Sequence, residues 1–121
     1  MTPEELGEIS ATVHDAWFHV ERLEHDRGRG TLIVPIFSGR RRKFWFVETA
    51  RPPEEPPPPP VGMLVVRGVT SLSVEDEAGI AWYDISRLLW EPLSGELRLV
   101  ANVPCEVVVR CHELDIELVG A

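Results

Sequence analysis

Cys105 and Cys111 stand six residues apart in a run that alternates apolar and polar side chains. On a straight strand, at about 3.3 Å per residue, their Cα atoms are ~20 Å apart, well beyond the ~7 Å that a disulfide spans. His112 completes no zinc-ligand spacing with them, so both cysteines are expected as buried structural thiols. His19 and His25 share strand parity, but two histidines fall short of a metal site and are expected at the surface or the edge of the core. Glu75-Asp76-Glu77, ahead of Gly79, lacks the alternating oxygen ligands of a calcium loop and reads as a solvated hairpin tip. The sequence contains no nucleophile elbow, phosphate-binding glycine loop or H-E-x-x-H helix. Its 20 acidic residues single out no facing pair for glycoside chemistry. No catalytic, metal-binding or cofactor-binding residue is therefore assigned, and no cofactor is expected.

His14-Asp15 is the dipeptide of HD-type phosphohydrolases, but those carry further His and Asp ligands in a helical domain. Here the surroundings are β-rich, and Asp15 reads as a helix end or turn. The strongest positive cluster is Arg40-Arg41-Arg42-Lys43, which abuts Phe44-Trp45-Phe46. Arginine forks hold phosphate or carboxylate bidentately, and neighbouring aromatics stack on bases. Arg40, Arg41, Arg42, Lys43 and Trp45 are thus the candidate interaction residues. The plainer reading is a charged turn that keeps an apolar strand soluble; a third is attraction to the acidic second half of a neighbouring copy. Pro56 to Pro60 form an unbroken proline run. Such a run favours polyproline II and cannot enter a central strand, so residues 51–61 are expected to loop between two β-rich halves. Trp17, Trp45, Trp82 and Trp90 are expected as core or interface anchors.

The elements that must position these residues are bounded by composition. A chain of 121 residues with 44% hydrophobic content forms one domain with a core of its own. Net charge is −8, divided as −2 over residues 1–60 and −6 over 61–121. This argues against nonspecific nucleic-acid binding, which needs a positive footprint. No apolar run approaches the ~20 residues of a membrane span. The Met-Thr-Pro-Glu-Glu start does not read as a signal peptide, so a cytoplasmic, reducing location is expected. Lys43 is the sole lysine, and that arginine bias suits a GC-rich bacterial gene.

Thr2, Pro3 and Glu5 form a helix start with a capping box. Leu6, Ile9 and Val13 follow at helical spacing, which predicts a helix over residues 3–13. Strands are predicted at 20–26, 31–37, 43–48, 63–67, 70–75, 85–91, 96–101, 105–111 and 114–118. Residues 63–67 are apolar on both faces, and inward parity changes near His112-Glu113. Residues 16–34 align without gaps to 81–99 at a shift of 65, with six identities that include Trp17/Trp82, Arg22/Arg87, Leu23/Leu88 and Gly30/Gly95. Both copies break strict alternation after Val20 and Ile85, which predicts a bulge or two covered faces.

The expected fold is mainly β: an antiparallel sandwich or barrel of eight or nine short strands with one N-terminal helix and two pseudo-repeated halves. The expected function is a non-enzymatic cytoplasmic interaction or binding module. Its partner is a protein, a second copy of the chain included, with no membrane and no nucleic acid. One alternative is an acidic inhibitor or immunity-type protein that masks a basic partner. Another is a small-ligand β-barrel or enzyme, whose ligand the sequence does not name.

Overall fold

The computed structural model describes residues 1–37, 59–77, 79–102 and 104–120. Helix α1 (Pro3–Val13) begins as predicted. The Thr2 hydroxyl accepts from the Glu5 N–H at 3.1 Å, and the Glu5 carboxylate accepts from the Thr2 N–H at 3.3 Å. This reciprocal pair satisfies donors that the first helical turn leaves open. Leu6 and Val13 are buried with Ile9 packed beside them, so the apolar stripe docks on the sheets. Asp15, at φ 67°, turns the chain out of the helix and into the first strand.

Nine strands follow: β1 (Trp17–His19), β2 (Glu24–Asp26), β3 (Thr31–Ile36), β4 (Gly62–Val66), β5 (Val69–Asp76), β6 (Trp82–Glu91), β7 (Glu96–Ala101), β8 (Cys105–Cys111) and β9 (Ile116–Val119). They form two antiparallel sheets, ordered β1-β6-β7-β8-β5 and β2-β3-β4-β9. A bridge joins the sheets: the Trp17 N–H donates to the Phe37 carbonyl at 2.9 Å and the Phe37 N–H donates back at 2.7 Å. Leu32, Val34, Leu64, Val66, Leu97, Leu99, Val107 and Val109 fill the space between the sheets and leave a void of only about 10 Å³.

The offset of 65 reappears in the strand register. Asp26 pairs with Thr31 and His25 with Leu32; Glu91 pairs with Glu96 and Trp90 with Leu97. Between β1 and β6, Phe18 faces Tyr83, while Trp17 faces Asp84 and His19 faces Trp82. Exchanging the two copies maps this ladder onto itself, so a pseudo-twofold axis passes between Phe18 and Tyr83. Its flanking bonds match: Val20 N–H to Ala81 O at 3.0 Å, and Ile85 N–H to Ala16 O at 2.8 Å. The same operation relates β4 to β8. It also relates β5 to β9, each of which crosses to edge the opposite sheet.

The predicted irregularity occurs in both copies, in different forms. Residues 20–26 are not one strand, because a 3-10 turn (Val20–Arg22) separates β1 from β2. In β6 the same place is a register shift between Ile85 and Arg87 within a continuous strand. The turn also removes His19 and His25 from a common strand. Gly30 and Gly95, at φ 64° and 68°, close the equivalent hairpins. A Cβ on them would come within 3.2 Å of the Val69 carbonyl and 2.9 Å of the Cys111 carbonyl.

Other differences have simple causes. The β4 face carrying Met63 and Val65 is open to solvent, so apolar residues on both sides of that strand do not make it buried on both sides. The parity change near His112 marks the crossing from one sheet to the other, where the inward direction reverses. The strand predicted at 43–48 and the proline run at 56–58 lie outside the described residues.

Candidate functional site

Arg40, Arg41, Arg42, Lys43 and Trp45 also lie outside the described residues. Cys105 and Cys111 are buried free thiols on the core side of β8. Burial, then the charges of Asp76 and Glu106, pushes the Cys105 thiol up to about 12, and burial followed by Asp115 raises Cys111. Both stay protonated at neutral pH, and the thiol is the unreactive form.

Polar groups gather beside Cys105 at the end of β5. The Tyr83 hydroxyl donates to Asp76 Oδ1, accepts from the Ile80 N–H at 3.2 Å, and is itself raised to about 12 by desolvation and by that bond. Asp76 also accepts from the Gly79 N–H at 2.9 Å. The acidic triplet is therefore not simply a solvated tip, because its central carboxylate anchors a buried tyrosine. A neutral phenol and a neutral thiol supply no nucleophile here, and the cluster fastens the strand end. Among the described residues, no group of three or more His, Cys, Asp and Glu is placed to hold a metal ion.

Trp17, Phe37 and Trp82 make a second buried cluster at the junction of the sheets. His19 meets Trp82 edge-on at 4.8 Å, and the Arg22 guanidinium lies 5.8 Å and 5.9 Å from the Phe37 and Trp82 ring centres. The His19 Nδ1 accepts from the Glu21 N–H at 3.0 Å. Burial lowers the affinity of His19 for a proton; Glu21 raises it, Arg22 lowers it and Asp76 raises it, each to a lesser degree. The predicted roles of Trp17 and Trp82 as core anchors hold, and Trp90 is half-buried.

The outer faces are laced with ion pairs. Arg98 reaches Glu96 and Glu106 at 2.8 Å each and Glu91 at 3.7 Å. Arg67 meets Glu117 at 2.9 Å and Asp115 at 3.6 Å. The Arg67 pairs are exposed and the Arg98 pairs part-buried, and surface pairs of this kind are weak singly.

Among the described residues, one concave feature with an apolar lining is a groove of about 530 Å³ between α1 and the second half of β6. One wall is the helix face of Gly7, Ser10, Ala11 and His14; the other is Leu88, Leu89 and Trp90, closed by Pro92 and Leu114. Two side chains tie helix to strand. The Leu88 N–H donates to Ser10 Oγ at 3.0 Å, and His14 Nδ1–H donates to the Ser86 carbonyl at 2.8 Å. An antiparallel strand alternates the direction of its backbone groups. Since the Leu88 N–H points away from β7, the N–H and C=O of Trp90 also point away from it, into the groove. Small residues allow this opening: a Cβ on Gly7 would meet nothing within 4 Å. Sequence reading assigned none of these residues, although Gly7, Ser10 and Ala11 beside the Leu6–Val13 stripe were a visible sign that this helix face does not fill its neighbourhood.

No helix among the described residues is long and apolar enough to cross a membrane. Comparison with known proteins finds no match to a family model, a curated protein or a solved structure.

Proposed function

We propose that the chain is a non-enzymatic protein-interaction module whose groove beside α1 receives an extended segment of a partner protein along the free edge of β6. The observation that carries this reading is an apolar groove that meets, among the described residues, an unpaired strand edge at Trp90. An edge strand offers main-chain hydrogen bonds, and the walls beside it offer side-chain pockets, which together make a site for strand addition. Glu4, Glu8, Glu91 and Glu113 are exposed on the elements around it. The segment that fits is therefore apolar at alternate positions and basic between them. The interior void of about 10 Å³ leaves little room for a ligand held inside the sheets, which favours an interaction surface over a ligand barrel.

The net charge of −8 favours a second reading, that of an inhibitor which masks a basic partner surface. Both readings suit a reducing cytoplasm, which the two free, buried thiols support. The shared hairpin register supports an origin by duplication of one unit.

Selection of random peptides on the full chain tests the groove. The expected binders share alternating apolar residues with interspersed Lys or Arg, and they shift the amide resonances of residues 88–91. Gly7→Leu, which fills the groove from open space, is expected to weaken them about tenfold or more. Unchanged binding to Gly7→Leu rejects the groove. Binding abolished by moderate salt, with no effect of Gly7→Leu, supports the inhibitor reading instead.

A further inference from the structure

The edge of β6 that faces α1 is filled group by group from one end, and the filling stops short of the other. β1 takes the first part with main-chain bonds, pairing Trp17 with Asp84. The Ile85 N–H then donates to the Ala16 carbonyl at 2.8 Å, and the Ile85 carbonyl accepts from the Asp15 N–H at 2.9 Å. From there, side chains at the helix take over. The Ser86 carbonyl accepts from His14, and the Leu88 N–H donates to Ser10. Helix and strand keep step, because His14 to Ser10 is a rise of about 6 Å and two strand residues span about 6.7 Å. The next residue on that helix row is Gly7, about 4.5 Å further on. It stands on the same groove wall as Ser10 and has no side chain to send toward Trp90.

Three main-chain groups are left on this edge: the Leu88 C=O, the Trp90 N–H and the Trp90 C=O. Leu88 and Trp90 oppose Leu99 and Leu97 of β7, with their backbone groups turned the other way. Among the described residues, none of the three groups has a hydrogen-bond partner. The stretch is closed at both ends. At one end Ser10 holds the Leu88 N–H; at the other, β6 ends at Glu91 and Pro92 has no N–H to offer.

Resting on the groove reading above, we propose that the partner segment is recognised along the main chain through these three groups alone. A segment lying against them presents two N–H donors two residues apart, to the carbonyls of Leu88 and Trp90, and one C=O, to the Trp90 N–H. That holds whether it runs antiparallel or parallel to β6. The occupant is therefore a short extended peptide of a partner protein, anchored over about three residues, and α1 bars any longer ladder. Gly7 leaves the room for it and Ser10 sets its limit. The exposed charged residues of α1 and β6 are Glu4, Glu5, Glu8 and Glu91 against Arg87, so lysine suits the positions of the peptide that face outward.

The test uses the full chain and the peptide Ser-Lys-Leu-Lys-Leu-Lys-Ser, acetylated and amidated. In the free chain, hydrogen exchange is expected to be slow at the Leu88 amide and fast at Trp90. The peptide is expected to bind saturably and to slow exchange at Trp90 about tenfold or more. Ser10→Ala is expected to speed exchange at Leu88 about tenfold and to leave Trp90 unchanged. N-methylation of the peptide, one amide at a time, is expected to weaken binding about tenfold at two positions, two residues apart, and by less than about twofold elsewhere. Sensitivity at any other number of positions overturns the three-group edge, and so does failure of this peptide to bind. The groove reading survives those outcomes when selected peptides still bind in a manner that Gly7→Leu blocks, and it falls when Gly7→Leu leaves their binding unchanged. Slow exchange at Trp90 in the free chain also overturns the proposal. If that protection grows with chain concentration, the occupant is a second copy; if it does not, the occupant is a segment of the same chain.

Discussion

The β6 side and the β2 side of this molecule are built from hairpins with the same register, yet among the described residues one carries a helix over its edge and the other does not. Leu88 and Leu23 occupy equivalent positions, 65 apart, and only Leu88 is buried. The difference shows that a shared strand pattern sets backbone pairing but not side-chain cover. Cover is decided by what docks afterwards. Residues 3–13 supply it for β6 from within the chain, through the Leu6, Ile9 and Val13 stripe and the bonds from Ser10 and His14. The β2 side has a short edge strand flanked by charge, which is how natural sheets guard an open edge.

The sharpest way to break this comparison is to truncate the matched leucines. Leu88→Ala is expected to cost about 2–5 kcal/mol in urea unfolding, and Leu23→Ala less than half as much, because cavity cost scales with burial. Equal losses would show that the β2 side is as well covered as the β6 side. The hairpin glycines come next. Gly95→Ala and Gly30→Ala are each expected to cost roughly 1–2 kcal/mol from left-handed strain. Gly95 should lose more, since its new Cβ would meet the Cys111 carbonyl at 2.9 Å, against 3.2 Å for Gly30 and Val69. A reversed order would sink the reading that the Cys111 carbonyl crowds Gly95 more closely than the Val69 carbonyl crowds Gly30.

Gly7→Ala probes the cover itself. It is expected to raise stability by about 0.8–1 kcal/mol, because it relieves backbone entropy in a helix where the new methyl meets nothing; a loss would mean that the groove is narrower than described. The smallest effect is on pH dependence. His19 stands where the second copy has Asp84. Burial holds the folded-state affinity of His19 for a proton below that of an ordinary histidine, near 6.5. The unfolded chain therefore takes up that proton first as pH falls past about 6.5, and stability present at neutral pH is lost on acidification. His19→Gln is expected to flatten the stability profile between about pH 7.5 and about pH 5.5, while Asn102→Ala, which removes a 2.7 Å bond to Asp84, should leave its slope unchanged.

Much of the fold was legible because it depends on local chemistry. The capping box, the helix stripe and the glycine turns act within a few residues, and each formed where its residues stand. Alternation placed Cys105, Val107, Val109 and Cys111 on one buried face. The strand predicted over residues 20–26 failed because alternation carries no information about a turn that redirects the chain between two sheets. Asp76 read as solvated because the residue it anchors, Tyr83, is positioned by a different strand pairing. The groove was not legible for a related reason: it lies between elements far apart in the chain, and its shape depends on which edge the helix covers.

By itself, then, the sequence determined the helix, the alternating strands, the two equivalent hairpins and the acidic charge, since these follow from side-chain periodicity, backbone freedom and formal ionisation. Only the tertiary structure decided that β5 and β9 cross to opposite sheets, that α1 covers β6 rather than β2, and that apolar residues on the β2 side stay accessible. Those outcomes rest on packing between distant segments, where burial is settled by competition for a shared surface and not by the pattern within any one segment.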